Sequence, residues 1–435
     1  MRRFFTFLLI FIALSVKAQR PFYYPPITGN VWDTTSPLSL GWCPDKIDSL
    51  YDFLAAKNTK AFIVLKDGRI VLEKYFGPFG VDSVHVWASA GKTLTAFTTG
   101  IAQEEGLLNI HHPTSDYLGT GWTSCPPAKE ALITIRHQLT MTTGIADTVS
   151  DLDCTDAGCL NYMADAGTRW SYHNALYTLV QRVVDSAAGP LSWKQFFNTR
   201  VAAKTGIIGA WITSNGYNSV FYSKPRATAR FGLLMLGRGI WNGDTVLHDT
   251  AYLDSMTRPS QALNASYGYL TWLNGQSTYR LPGPQIVYNG PLFPDAPQDL
   301  YAALGKDDQK IYVAPAQGLV VVRMGGAADS VRPAVSTFDN DLWIKLNVAM
   351  CNPTSVSSIP ETPLGWRLSP QPALEKLSIS GISSSIKQVW GYDLSGKKLL
   401  QASVRNGEAI IGLETLPTGN YVVSDGQRGR LFEKK

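Results

Sequence analysis

Two widely separated stretches constrain this chain more than any other feature: TKAFIVLKDGRIVLEKYFG, Thr59–Gly77, and QKIYVAPAQGLVVVRMG, Gln309–Gly325. Each joins two runs rich in β-branched residues across a turn, Lys66-Asp67-Gly68 in the first and Pro315 to Gly318 in the second. That is the pattern of a β-hairpin. A lone hairpin is marginal in water, so two of them at opposite ends of a long segment are expected to share one sheet. Between them the apolar spacing turns helical. In Ser89–Leu108 the residues Leu94, Phe97, Ile101 and Leu108 recur at near-helical intervals, and Ala90, Gly91 and Ala96 are small enough for close packing. A buried helix follows from that, and a main domain of mixed α and β structure.

The 435 residues are 45% hydrophobic and 17% charged, enough for a large core and more than one domain. The start, MRRFFTFLLIFIALSVKAQ, sets Arg2 and Arg3 before an apolar run from Phe4 to Val16, with Ala18 at a cleavable position before Gln19. This is the layout of a signal peptide over residues 1–18, too short in its apolar part for a membrane span, and it predicts export. Removing Arg2, Arg3 and Lys17 takes the formal charge from +5 to +2, so no nucleic-acid partner is implied. The main domain is expected over 19–350. A Ser, Thr and Pro-rich linker without apolar period follows at 351–363, and residues 364–435 read as short strands between turns, a small all-β module.

Five cysteines, Cys43, Cys125, Cys154, Cys159 and Cys351, would meet an oxidising destination, so at least one has no partner within the chain. Cys154 and Cys159 are spaced to close a small loop, though Cys125 is equally available to either. No histidine stands at ligand spacing nearby, which argues against zinc. The acidic residues Asp147, Asp151, Asp153 and Asp156 lack the glycine and terminal glutamate of an EF-hand loop, and read as a solvated rim.

The chemistry is carried by Ser89-x-x-Lys92. The same spacing recurs at Ser384 and Ser395, but only Ser89 begins a helix. There the hydroxyl and the amine share one face, and the unpaired N–H groups of the helix start favour a developing oxyanion. No Gly-x-Ser-x-Gly elbow surrounds any serine, so a Ser-His-Asp triad is not expected.

Two further segments extend this pattern. In AGTRWSYHNALYTLV, Gly167, Trp170, Tyr172 and Asn174 form Gly-x-x-aromatic-x-Tyr-x-Asn, and Ile133–Gly144 in ITIRHQLTMTTGI precedes it, with Gln138, Met141 and Thr143 as departures. Together with Ser89-x-x-Lys92 these resemble the class C β-lactamases and related serine hydrolases of the penicillin-binding-protein superfamily. The resemblance spans roughly residues 60 to 325. It implies an α+β fold, an antiparallel sheet flanked by helices plus a helical subdomain, with Ser89 at their junction.

It further implies Ser89 as nucleophile, Lys92 and Tyr172 as the proton-handling pair, and Asn174 as a hydrogen-bond donor to substrate or lysine. The family's third motif is a strand with Lys-Thr-Gly or His-x-Gly. The literal Lys204-Thr205-Gly206 ends a helical segment and reads as a C-cap. Lys306 in AALGKDDQKIYVAP is therefore expected to open a strand and to support a Tyr172 phenolate or hold substrate, with the backbone N–H groups of Ser89 and Gln309 as the oxyanion hole. Asp307 and Asp308, standing where Thr and Gly are common, are expected to put a carboxylate at the acyl site and to repel anionic substrates. Tyr267 and Trp272 are placed near the cleft.

The implied activity is cleavage of an ester or amide in a small-molecule or short-peptide substrate, through an acyl-enzyme and without metal or cofactor. The alternatives are a D,D-peptidase or β-lactamase, and a surface binding protein that kept the fold. The tail carries its own resemblance. LSPQPALEKLSISG, VWGYDLSGKKL, LPTGNYVVSD and the ending GRLFEKK are similar to the C-terminal sorting domain of the bacterial type IX secretion pathway, with Gln371 in place of the usual asparagine. That implies the secretion machinery as a partner.

Overall fold

The computed structural model describes residues 22–214, 218–329, 334–351, 366–393, 397–425 and 428–435. The expected leader, residues 1–18, lies outside them, as does the expected linker apart from Cys351.

The two hairpins do share a sheet. Six antiparallel strands run in the order Arg69–Tyr75, Thr59–Lys66, Leu319–Gly325, Gln309–Ala314, Tyr301–Gly305, Trp272–Leu273. Register is set by apolar pairs such as Ile63 opposite Val322 and Ala303 opposite Ile311. All seven residues of Leu319–Gly325 are buried, because both faces of this strand are covered. On one side the helix Pro225–Leu236 lies so close that a Cβ on Gly232 would strike Val320. On the other side the helices Pro44–Ala56 and Thr337–Ala349 pack together through stacked Phe53 and Phe338. A disulfide from Cys43 to Cys351 ties the start of the first of these helices to the end of the second. Cys154 pairs with Cys159, and Cys125 is left buried and unpaired.

Between Leu108 and Gly206 the chain forms the helical subdomain, whose longest element is the helix Asn174–Ala187. This packs against the helix Gly91–Glu104, which is buried from Gly91 through Ala102. Lys204-Thr205-Gly206 ends a helix, with Gly206 in the left-handed region at φ 71°.

The C-terminal strands form two small sheets around their own apolar cluster, including Leu377, Ile379, Val389, Ile411 and Val423. One of these sheets extends beyond the module. The last strand, Arg428–Lys434, runs parallel to Val287–Asn289, a strand of the main domain hairpin, with Tyr288 opposite Gly429. Tyr288 is buried there with Ile286 and Val422 and stacks on Tyr279.

Candidate active site

Ser89 sits one turn earlier than a simple helix start. It lies in the 3-10 turn Ala88–Ala90 that leads into Gly91–Glu104. The approach is fixed by Trp87, whose backbone N–H bonds Phe221 and whose indole N–H donates to Ser223 Oγ at 2.8 Å. Ala88 then takes φ 48°, a left-handed conformation uncommon for a residue with a side chain. Strain of this kind persists where the surroundings over-determine it, here at the residue preceding the serine.

Lys92 Nζ donates to Ser89 Oγ at 2.8 Å and to Asn174 Oδ1 at 2.8 Å. Its amine is walled by two phenol rings, Tyr172 at 4.8 Å and Tyr177 at 4.3 Å from the ring centres. Lys92 is buried, and desolvation lowers its pKa to about 7 against the opposing pull of Asp153. A shift from 10.5 to about 7 corresponds to roughly 5 kcal/mol of preference for the neutral amine. At neutral pH this lysine is poised to accept a proton.

Tyr172 hydrogen-bonds Ser89, and burial holds its hydroxyl well above the usual tyrosine pKa, with the Ser89 bond pulling the other way. The ring stacks on Trp272 at 6.0 Å and packs with Trp170 and Tyr267, which makes a four-membered aromatic wall. Tyr267 and Trp272 are buried supports of Tyr172 rather than open cleft residues.

The third segment departs from expectation. Lys306 does not open a strand: it is exposed in the turn between Tyr301–Gly305 and Gln309–Ala314, and it does not figure among the influences on Tyr172. The residue that meets the serine is Gly305, where a Cβ would come within 3.1 Å of the Ser89 backbone nitrogen and 3.0 Å of that of Ala90. Only glycine allows so close an approach. Gln309 begins the next strand, opposite Gly305. Its side-chain amide locks the turn, donating to Asp307 O at 2.8 Å and Gly325 O at 2.7 Å.

Asp308 does not put a carboxylate at the acyl site. It is 1% exposed and turns into the core, accepting from Ser336 Oγ at 2.7 Å and Ala328 N at 2.9 Å, with Lys310 Nζ at 3.1 Å. Burial pushes its pKa up, but Lys310 and these donors outweigh that and leave it lowered. The φ values of Asp307 and Asp308, 60° and 56°, turn the loop inward, and Arg323 secures it by donating to both of their carbonyls.

The histidines serve elsewhere. His85 meets Gly325 O, His137 closes the capping box of Thr134, and His173 is fully buried and pushed down to about 4, mainly by desolvation. Among the described residues no group of His, Cys, Asp and Glu could hold a metal ion.

Tyr177 escaped the sequence reading although the signal was present: it follows Asn174 by three positions in NALYTLV and so shares its helix face. Its hydroxyl is fixed by Ser219 O at 2.8 Å.

The antiparallel sheet flanked by helices, with a serine in contact with a buried lysine beside it, has the fold of a serine hydrolase. The Beta-lactamase family model matches residues 55–341, and the chain belongs to that family. Solved structures share the fold. A protein assigned as a 6-aminohexanoate-dimer hydrolase from Bacillus anthracis superposes with TM-score 0.57 at 16% identity, over 74% of this chain and 88% of that one. One assigned as a β-lactamase from Bacteroides dorei gives 0.56 at 17% identity, over 71% and 99%. A family VIII carboxylesterase gives 0.53 at 14% identity, over 72% and 99%. No curated protein matches the sequence.

Proposed function

We propose that the protein is an exported serine hydrolase that cleaves an ester or amide through an acyl-enzyme on Ser89. The observation that carries this is the 2.8 Å contact between Ser89 Oγ and a buried Lys92 amine lowered to about 7. Lys92 takes the Ser89 proton as the oxygen attacks the acyl carbon. The Ser89 N–H and the strand-end amide of Lys306, adjoining Gly305, hold the oxyanion in place of the Gln309 amide expected from sequence. Tyr172, protonated and bonded to Ser89, donates its proton to the leaving group and recovers one from Lys92. Water then attacks the acyl-enzyme, giving a proton to the same pair, which passes one to Ser89 Oγ as the C–O bond to the acyl carbon breaks and the acid departs. Asn174 holds Lys92 in line.

The likeness to a carboxylesterase and to a protein assigned as a 6-aminohexanoate-dimer hydrolase supports the ester or amide class. Export is supported by Arg2, Arg3 and the apolar run Phe4–Val16, and a type IX sorting role for the tail by the segments from Leu368 onward. The class C likeness rests on the Tyr172-x-Asn174 pattern.

A fluorophosphonate probe tests the central claim. It is expected to add its mass to the peptide containing Ser89 and to leave the Ser89→Ala variant unmodified. Equal labelling of both proteins would sink the assignment.

A further inference from the structure

A cavity of about 410 Å³ lies away from the catalytic cluster, where residues 27–32, 81–84 and 206–210 meet the start of the helix Pro225–Leu236. None of Ser89, Lys92, Tyr172, Asn174 and Tyr177 lines it. Its volume falls within the roughly 300–1,000 Å³ of small-molecule sites. Four of its wall residues, Ile27, Val31, Val84 and Ile208, are large, apolar and exposed, Val31 and Ile208 at 68%. One exposed valine needs no explanation, whereas four such side chains around a single concavity form a patch that a ligand can cover.

The charge on these walls has one sign. Lys224, Arg226 and Arg230 line the cavity, and no Asp or Glu does. Two of the three cations are already paired: Glu73 holds Arg226 through two bonds of 2.7 Å, and Asp82 holds Lys224 at 2.7 Å. Arg230 differs. It is only 5% exposed, and no carboxylate among the described residues forms an ion pair with it. Its guanidinium donates to Thr205 O at 2.9 Å and Pro26 O at 2.6 Å, and lies 5.3 Å from the Trp32 ring centre and 5.5 Å from that of Trp241. Burial lowers its pKa to about 10, which leaves it charged at neutral pH. Carbonyl dipoles and ring faces offset a buried charge in part, and an opposite charge completes the compensation.

The start of the helix adds to this. Its N-cap residue Lys224 makes no side-chain cap, and Arg226 and Ala227, which carry first-turn N–H groups, line the cavity. Such a terminus favours an anion. Ala227 and Arg230 stand three residues apart and so share one face of the helix.

We propose that this cavity binds a monocarboxylate with an aliphatic body, its head on Arg230 and the helix start, its chain against Ile27, Val31, Val84 and Ile208. One unpaired cation matches one negative charge, and the apolar walls match the chain. The site goes beyond the hydrolase reading and does not depend on it. Ser223 also lines the cavity, and its hydroxyl accepts the indole N–H of Trp87, two residues before Ser89. An occupant therefore rests behind the segment that sets the nucleophile.

Calorimetry on the full chain with octanoate, octylammonium and acetate tests the proposal. Octanoate is expected to bind with Kd below about 1 mM, and the other two at least about tenfold more weakly. Arg230→Gln removes the charge, and Ile208→Glu sets a carboxylate on an exposed part of the wall. Each is expected to weaken octanoate at least about tenfold. Should Arg230→Gln fail to fold, Ile208→Glu, with the Tm of the wild type, decides alone. Octanoate that fails to bind, octylammonium that binds as well as octanoate, or octanoate that binds the wild type and Ile208→Glu equally would each overturn the proposal. The readout is binding, so it holds whether or not Ser89 turns over an ester.

Discussion

Lys92, on the helix Gly91–Glu104, and Lys310, on the strand Gln309–Ala314, are both buried lysines, and their surroundings differ completely. Lys310 is 1% exposed and meets Asp339 Oδ2 at 2.8 Å, Asp308 Oδ1 at 3.1 Å and Ala334 O at 2.7 Å. Lys92, 2% exposed, has a serine hydroxyl, an asparagine carbonyl and two aromatic faces, with no carboxylate in ion-pair contact among the described residues. The first arrangement compensates a charge; the second leaves it uncompensated and lowers its affinity for a proton. Burial is common to both, so the partners decide which lysine is chemistry and which is scaffold.

Replacing each lysine by methionine separates them. Lys92→Met is expected to cost about 10²–10⁴ in kcat on any acyl ester it turns over, as for loss of a proton-transfer group. The same variant should melt no lower than the wild type in calorimetry, since an unpaired buried amine is replaced by an apolar chain. A large drop in Tm would mean that Lys92 is structural. Lys310→Met is expected to behave in reverse. It strands Asp308 and Asp339 in the core and should cost about 3–5 kcal/mol in denaturant unfolding. Its remaining folded fraction should keep most of its activity, and a specific loss of turnover without loss of stability would break the comparison.

A smaller effect follows from pH. Proton acceptance needs the neutral amine, so kcat/KM should rise with pH, about tenfold per unit below about 7, and level off above it. Stability has the same sign. Lys92's folded pKa lies below its unfolded value of 10.5, so the unfolded chain binds more protons between about 7 and 10.5, and this group's contribution improves as pH rises through that window. A flat rate profile from pH 5 to 9 would count against Lys92 as the base. Smallest of all, Tyr177→Phe removes one buried hydroxyl and its bond to Ser219, for about 1 kcal/mol of stability. Because the ring face against Lys92 survives, the midpoint of the pH profile should move by less than about half a unit.

The hairpins, the buried serine helix and the Ser89–Lys92 pair were legible because each rests on local spacing: period two, period three to four, or a fixed offset within one segment; the meeting of that pair with Tyr172 and Asn174 was legible only through the family resemblance. The turn after Tyr301–Gly305 was not. Lys306 carried the expected charge, yet strand register and the inward φ values at Asp307 and Asp308 decide what meets Ser89, and they select Gly305. The fate of Asp308 was hidden for the same reason, since its partners Lys310, Ser336 and Ala328 are joined to it only by the fold. Equally, no periodicity could announce that Arg428–Lys434 would add itself to the edge of Val287–Asn289.

The Cys43–Cys351 bond makes residues 43–351 of the main domain a covalent ring. Every residue of the candidate site lies within the ring, and the whole tail hangs from it as a pendant. A proteolytic cut beyond Cys351 would leave the ring closed and the tail held to it only by noncovalent contacts, such as the pairing of Arg428–Lys434 with Val287–Asn289. One cut inside the ring would leave a nicked but still joined molecule, whose two pieces part only when that disulfide is reduced and the fold is lost.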